Sequence, residues 1–229
     1  MNVKSSRSAL LAAMAVLAVA LVALAAIPAV AEDGDAADVT TISSADLLSK
    51  AVGGVLTLDQ NYVLSDSLVV TADMTIDLNG FDLSGTGFHV IEVKTGKLAI
   101  KDASNEIGSV VQSGKTYAAL MVDIGAEVKI DGGYFHNTDV GAYYVIKNCG
   151  TVTINEAKLK NESNGSSVIA NGYFNYEDYN KVAGANGTSY PANVAPVMMT
   201  INGGEYNGKC YVKNDDYGVM AINGGNFVI

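Results

Sequence analysis

From about residue 54 onward the chain alternates apolar and polar residues in short runs, each ending in a small, turn-forming group. Leu98-x-Ile100, Val128-x-Ile130, Val152-x-Ile154, Met199-x-Ile201 and Met220-x-Ile222 share one spacing. A period of two marks strands that bury one face. The residues after each pair are nearly constant. LNGFDL (78–83), IDGGYF (130–135), INEAKL (154–159), INGGEY (201–206) and INGGNF (222–227) share one frame. An aliphatic residue precedes Asn or Asp, then come two positions rich in glycine, a variable residue and an apolar one. IANGYF (169–174) reads as a degenerate copy, and KLAIKDA (97–103) keeps the strand without the glycine turn.

The marker aliphatic recurs at 78, 100, 130, 154, 201 and 222, with gaps of 22, 30, 24, 47 and 21. The gap of 47 reads as two periods with one blurred member. Strand, sharp bend and strand at a fixed period predict a coil of parallel strands, in which neighbouring turns supply the core that no single turn can bury. The predicted fold is all-β: a single-stranded parallel β-helix, or β-solenoid, of about six to seven turns. Asn79, Asn155, Asn202 and Asn223 then fall at the bend, where stacked amides can form a ladder. A β-sandwich of hairpins also shows short alternating strands. It does not require the same bend chemistry at one phase along the chain.

The ends differ. SSADLLSKAVGG (43–54) has a serine start signal, an apolar stripe of Leu47, Leu48, Ala51 and Val52, and a Gly53-Gly54 stop, which predicts a short capping helix over the first turn. At the other end only Val228 and Ile229 come after INGGNF. Three accounts of that edge are open: it stacks on another subunit, its last turn is short and blunted, or a distal part of a longer family is missing. Residues 1–31 carry Lys4 and Arg7, an apolar run and Ala29-Val30-Ala31, the layout of a secretory signal cut after Ala31. The apolar run is about 22 residues, which also meets the length of an uncleaved anchor. EDGDAAD opens an acidic leader, 32–42, read as disordered. The β-helix is assigned to 43–229.

The run VGGVLTLDQNYVLSDSLVV through MTIDLNGFDLSGTG to KLAIKDAS, with the repeats after it, resembles right-handed parallel β-helix repeat proteins of the pectin-lyase-like superfamily. Within that superfamily it is similar to adhesin-like surface proteins of host-associated microbes. The resemblance covers residues 43–229. It implies right-handedness and leaves the ligand open, because the superfamily holds lyases, hydrolases, adhesins and spike proteins. The hydrolase branch carries an Asn-Thr-Asp cluster, an Asp pair, a His-Gly element and an Arg-x-Lys clamp. Here Asn137-Thr138-Asp139 and Asn214-Asp215-Asp216 are present, 77 residues apart. At three turns that is about 14 Å along the axis, beyond the roughly 5–9.5 Å over which paired carboxylates cleave glycosides. No Gly-His-Gly is present. Both clusters are read as polar turns, and no catalytic residue is assigned.

The charge is −10, and Arg7 is the single arginine. A chain without a basic patch is a poor match for nucleic acid or anionic lipid. His89 and His136 are the two histidines, and there is no CxxC pair, so no metal site and no cofactor are assigned. Oxygen ligands at Asp215-Asp216 are too few to define a calcium site. Cys149 and Cys210 admit either a disulfide or two thiols. Asn161, Asn164 and Asn186 begin glycosylation sequons.

The longest irregular stretch, 171–196, opens with YFNYEDYNK. Tyr173, Tyr176, Tyr179 and Tyr190 are candidate ligand contacts, since loops on a rigid scaffold carry binding and aromatics offer flat faces. Equally, tyrosine suits an exposed strand face. The expectation is a non-catalytic, secreted or cell-surface adhesin-like module that binds carbohydrate or a partner protein. The alternative is a structural subunit that self-associates end to end through its bare edge.

Overall fold

The computed structural model describes residues 39–228. The signal-like segment 1–31 and the leader up to residue 38 lie outside the described residues. The chain winds as a parallel β-solenoid. Among the described residues three parallel sheets of eight, seven and six strands run along it; each complete coil contributes one strand to each sheet in turn, and the first and last coils contribute fewer. The eight strands of the largest sheet correspond to about eight coils, one more than the repeat count predicts.

The registers show why alternation produces this shape. Ile76, Ile100, Ile130, Ile154, Ile201 and Ile222 stand in one row across the seven-stranded sheet. Leu68, Ile91, Leu120, Ile146, Ile169 and Val212 form a row in the six-stranded sheet. Tyr62 pairs with Leu83, and Phe135 with Val110 and Leu159, in the eight-stranded sheet. All of these except Ile222, which is 52 % exposed in the last coil, belong to one continuous core. Each inward side chain packs on its equivalents above and below.

The bend chemistry comes from close approach. In INGGEY and INGGNF the first glycine presses on the coil beneath: a Cβ at Gly203 would lie 2.5 Å from the Asn155 carbonyl oxygen, and one at Gly224 2.4 Å from that of Asn202. The second glycine, Gly204 or Gly225, holds a positive φ of 97° or 113°. Beside them runs the predicted amide ladder: Asn223 donates to Asn202, Asn202 to Asn155, and Asn155 to Asp131, each at 2.8 Å.

Asn79 is not in that ladder. Ile76, rather than Leu78, aligns with Ile100, so the LNGFDL frame is shifted by two residues. Asn79 and Gly80 both have positive φ, 49° and 82°, and make a tight turn closed by Phe81 N–H on the Leu78 carbonyl at 2.9 Å. Leu78 still fills the core, at the corner. Ladder positions in these coils are taken by Asp77 and Lys101, an ion pair at 2.9 Å.

The gap of 47 is also resolved differently. Ile154 pairs directly with Ile201, so one coil, not two, spans it. Ile169 lies in the six-stranded sheet between Ile146 and Val212 and is no copy of the bend motif. The extra length is an insert, residues 172–196, at the corner that leads from the six-stranded to the seven-stranded sheet.

The capping helix, Ser44–Ser49, starts where expected: the Ser43 hydroxyl accepts the Asp46 N–H at 3.1 Å, and Leu47 is buried against the core. Val39–Ile42, inside the predicted leader, is a strand that pairs with Asn61–Leu64, so the coil begins before residue 43.

Candidate functional site

The six-stranded sheet carries the departure from a plain solenoid. Its outward row is Glu92, Met121, Lys147, Ala170 and Lys213. Outward residues of a solenoid ordinarily face water. Here Met121, Lys147 and Ala170 are buried, at 6, 3 and 4 % exposure. The insert covers them.

Its sequence dictates how. NYEDYNKVAG is a helix phrase: the Asn175 side chain accepts the Asp178 N–H at 2.9 Å, Glu177 and Asp178 occupy the first turn, Lys181 the last, and Gly184 ends it at φ 63°. The resulting helix is Tyr176–Ala183. Two devices hold it to the sheet. Lys147 Nζ lies 2.7 Å from Asp178 Oδ2 and donates to the Gly172 carbonyl at 3.0 Å. A small second core forms from Met121, Cys149, Tyr173 and Val197, with Tyr179, Val182, Tyr190 and Val194 packed around it.

That arrangement places the four candidate tyrosines together, in a different role for at least one. Tyr173 is 1 % exposed, with its ring edge-on to Tyr179 at 5.0 Å and tilted to Tyr190 at 6.0 Å. It anchors the insert and offers no open face. Tyr176, Tyr179 and Tyr190 are half-buried and contact one another, with ring centroids 5.4–6.0 Å apart. Burial pushes the Tyr190 phenol up to about 12, helped by its hydrogen bond to Asp216 at 3.2 Å. It is a neutral donor at physiological pH.

The helix divides the face into two clefts that share Tyr144, Lys147, Asp178 and Lys181 as a wall. One, about 500 Å³, is lined by Tyr143, Phe174, Asn175, Ser166, Lys213 and Asp215. Phe174 and Tyr143 are 64 and 44 % exposed there. Lys213 Nζ sits 4.1 Å from the Phe174 ring centroid. The other, about 420 Å³, is lined by His89, Glu92, Lys94, Thr116, Tyr117 and Asp123. A third depression of about 640 Å³ lies over the seven-stranded sheet, on the outward row Thr75, Ala99, Lys129 and Thr153. It is shallow and repeats the sheet's own pattern, without a converging polar group.

Electrostatics differ between the first two clefts. In the second, Lys94 bridges two carboxylates, Glu92 and Asp123, at 3.0 Å from the latter. Burial raises the Asp123 pKa, and Lys94 opposes that rise. Burial would lower Lys94, but the two carboxylates outweigh it and raise its pKa. His89 Nδ1 accepts the Ala118 N–H at 2.9 Å, and burial lowers the ring's pKa.

No family model, curated protein or solved structure matches the chain. The chemistry of this face therefore rests on its own residues.

The other motif residues have structural partners. Asn137, fully buried, points its amide N–H groups at the carbonyls of Gly114, Tyr117 and Tyr144 at 3.1–3.2 Å. Asp139 accepts the Gly141 N–H at 2.7 Å. Asn214 accepts from Asn171 and donates to the Gly218 carbonyl, both at 2.7 Å. It ends a second amide ladder, Asn148 to Asn171 to Asn214, whose first two members are fully buried. His136 lies on the eight-stranded sheet, 3.1 Å from Glu162, away from His89. Cys149 is buried and Cys210 exposed, and both are free thiols. Burial pushes the Cys149 thiol up to about 12. Among the described residues no group of three or more His, Cys, Asp and Glu side chains is placed to hold a metal ion.

Proposed function

We propose that the chain is a non-catalytic binding module, exported and displayed outside the cell, that takes carbohydrate or a partner's surface on the outer face of the six-stranded sheet. The observation that carries this reading is the insert. Between equivalent isoleucines the other coils run 21–30 residues and this one 47. The extra residues fold down with their own small core and leave two clefts where a plain solenoid has a flat sheet. Carbohydrate is favoured because the clefts combine exposed aromatic faces, Phe174, Tyr143 and Tyr117, with both donors and acceptors. The signal-like residues 1–31 and the resemblance to adhesin-like surface proteins support export and attachment. The Asn137 and Asn214 clusters serve turns and ladders, which supports a non-catalytic role.

The test replaces residues 172–197 with Asp-Ile-Gly-Ala, the sequence that makes the equivalent corner at 123–126. Wild-type and variant chains are applied to an array of neutral and acidic glycans. Binding to at least one glycan class is expected for the wild type, with loss in the variant. An array with no signal, or a variant that binds like the wild type, refutes the reading.

A further inference from the structure

The cleft on the His89 flank of the insert helix is lined by three groups, two of which keep a polar atom without a partner among the described residues. The first is a donor. His89 Nδ1 accepts the Ala118 N–H at 2.9 Å, so the proton of the neutral ring sits on Nε2. Nε2–H has no acceptor among the described residues, and His89 lines the cleft. The second is an acceptor. Asp123 is 5 % exposed, its Oδ2 faces Lys94 at 3.0 Å, and its Oδ1 is enclosed without a hydrogen-bond partner. A buried oxygen without a donor is destabilising, so such an atom in a native fold calls for an explanation. Asp123 lines the cleft, and because the terminal torsion of an aspartate is soft, a turn about it is the movement by which a ligand hydroxyl would meet Oδ1. The third is a flat face: the Tyr117 ring, 37 % exposed and edge-on to His89 at 5.3 Å.

A donor, an acceptor and an apolar face are what a pyranose needs. One hydroxyl donates to Asp123, a neighbouring hydroxyl accepts from His89 Nε2–H, and the C–H face of the ring lies on Tyr117. A volume of about 420 Å³ is that of a small-ligand cleft. Charge argues for a neutral sugar. Lys94 is already paired with Glu92 and Asp123, and Lys147 with Asp178, so most of the cleft's positive charge is spoken for. We propose that this cleft is a subsite for a neutral pyranose, with His89 and Asp123 as the hydroxyl-reading pair and Tyr117 as the stacking face. Lys94 is a positioning residue that holds the carboxylate. The assignment rests on the reading of this face as carbohydrate-binding and names the sugar class.

The test uses the purified chain with cellobiose, lactose and maltose as neutral probes and digalacturonic acid as the acidic one. Binding is read by saturation-transfer difference NMR and calorimetry, with Asp123→Asn, His89→Phe and Tyr117→Ala as variants. Thr153→Ala, on the outward face of the seven-stranded sheet, is the control. Circular dichroism and thermal melts confirm folding; Tyr117→Ala removes only a partly exposed ring and keeps the test open if either buried variant unfolds. The wild type should bind at least one neutral disaccharide. Each cleft variant should weaken it tenfold or more, and the control should change it less than twofold. Unchanged binding in the cleft variants overturns the subsite and leaves the broader carbohydrate reading standing. Binding of digalacturonic acid alone overturns the neutral assignment. No sugar binding by the wild type overturns both.

Discussion

Removing either partner of the Lys147–Asp178 pair should loosen the insert, but not equally. Lys147 is 4 % exposed in its side chain and Asp178 26 %. In Asp178→Ala the ammonium stays buried, with the Gly172 carbonyl 3.0 Å away as its remaining partner. Stranding one partner of a buried pair costs about 3–5 kcal/mol. In Lys147→Met the apolar replacement fills the space between Met121 and Ala170, and Asp178 reaches water. It keeps its contact with the Phe174 N–H at 3.2 Å. That change should cost about 1 kcal/mol or less. The loss should be local, because a solenoid's stability is a sum over neighbouring coils and the insert is extra to that stack. Hydrogen exchange by mass spectrometry then separates the two. Peptides covering 173–196 in Asp178→Ala should exchange about 100- to 4,000-fold faster, since about 1.4 kcal/mol is tenfold. In Lys147→Met they should change less than about tenfold, and peptides from the seven-stranded sheet should not change in either. The double variant Lys147→Met, Asp178→Leu should recover most of the protection. Equal effects of the two single variants, or loss of protection spread through the solenoid, would refute the argument.

Three further outcomes are expected. Asn171→Ala, which breaks the buried amide ladder and strands Asn148 and Asn214, should destabilise by about 2–3 kcal/mol in denaturant titration; Asn202→Ala, in the exposed ladder, should cost under about 1 kcal/mol. A thiol reagent at neutral pH should label one cysteine per native chain, Cys210, and both after denaturation, because Cys149 is buried with its thiol pushed up to about 12. Asp77 is held below its ordinary 3.8: burial alone would raise it, but Lys101 and the N–H groups of Ala103 and Asn79 outweigh that. A depressed folded pKa means stability that is present above the unfolded value and lost as pH falls through the folded one. In acid titration followed by far-UV dichroism, the wild type should therefore lose stability as pH drops below about 4, and Asp77→Asn should flatten the profile in that window.

Much of the fold was legible because its determinants are local and recur. The Ile rows come from alternation, and the Gly203 and Gly224 contacts leave no room for a side chain at the bend. The departures share one cause, which is that letters do not carry register. Asn79-Gly80 looks like the bend motif, yet both residues are left-handed and close a two-residue turn, so the row passes through Ile76. Asn171 reads as part of a degenerate bend motif and Asn214 as part of a polar turn, although the phase of Lys147-Asn148 and Lys213-Asn214 could have marked a ladder. The burial of Asn148 and Asn171 depends on amides one coil away. The insert helix has a full set of start and stop signals from Asn175 to Gly184, inside a stretch whose Gly, Asn and Pro read as an irregular loop. Lys147 carried no signal at all. Its burial arises from a segment about thirty residues downstream that the alternation pattern does not place over it.

The separation of parts explains why this face can carry function at little cost to the fold. The core rows lie inside the three sheets, and the registers on either side of the insert are set by Ile154 on Ile201 and by Asn171 on Asn214. Nothing in those pairings uses Phe174, Tyr117, His89 or the helix. A coil closed by a four-residue corner, as at 123–126, satisfies the same registers. The insert and the two clefts are therefore additions to a scaffold that closes without them. Side chains lining the clefts can vary with ligand while the isoleucine and asparagine ladders stay fixed. By the same logic, Phe174→Ala should leave the melting temperature of the solenoid within about 1 °C, since a 64 % exposed ring contributes little burial. A drop of several degrees would show that the insert is part of the fold's stability and that scaffold and site are not separable.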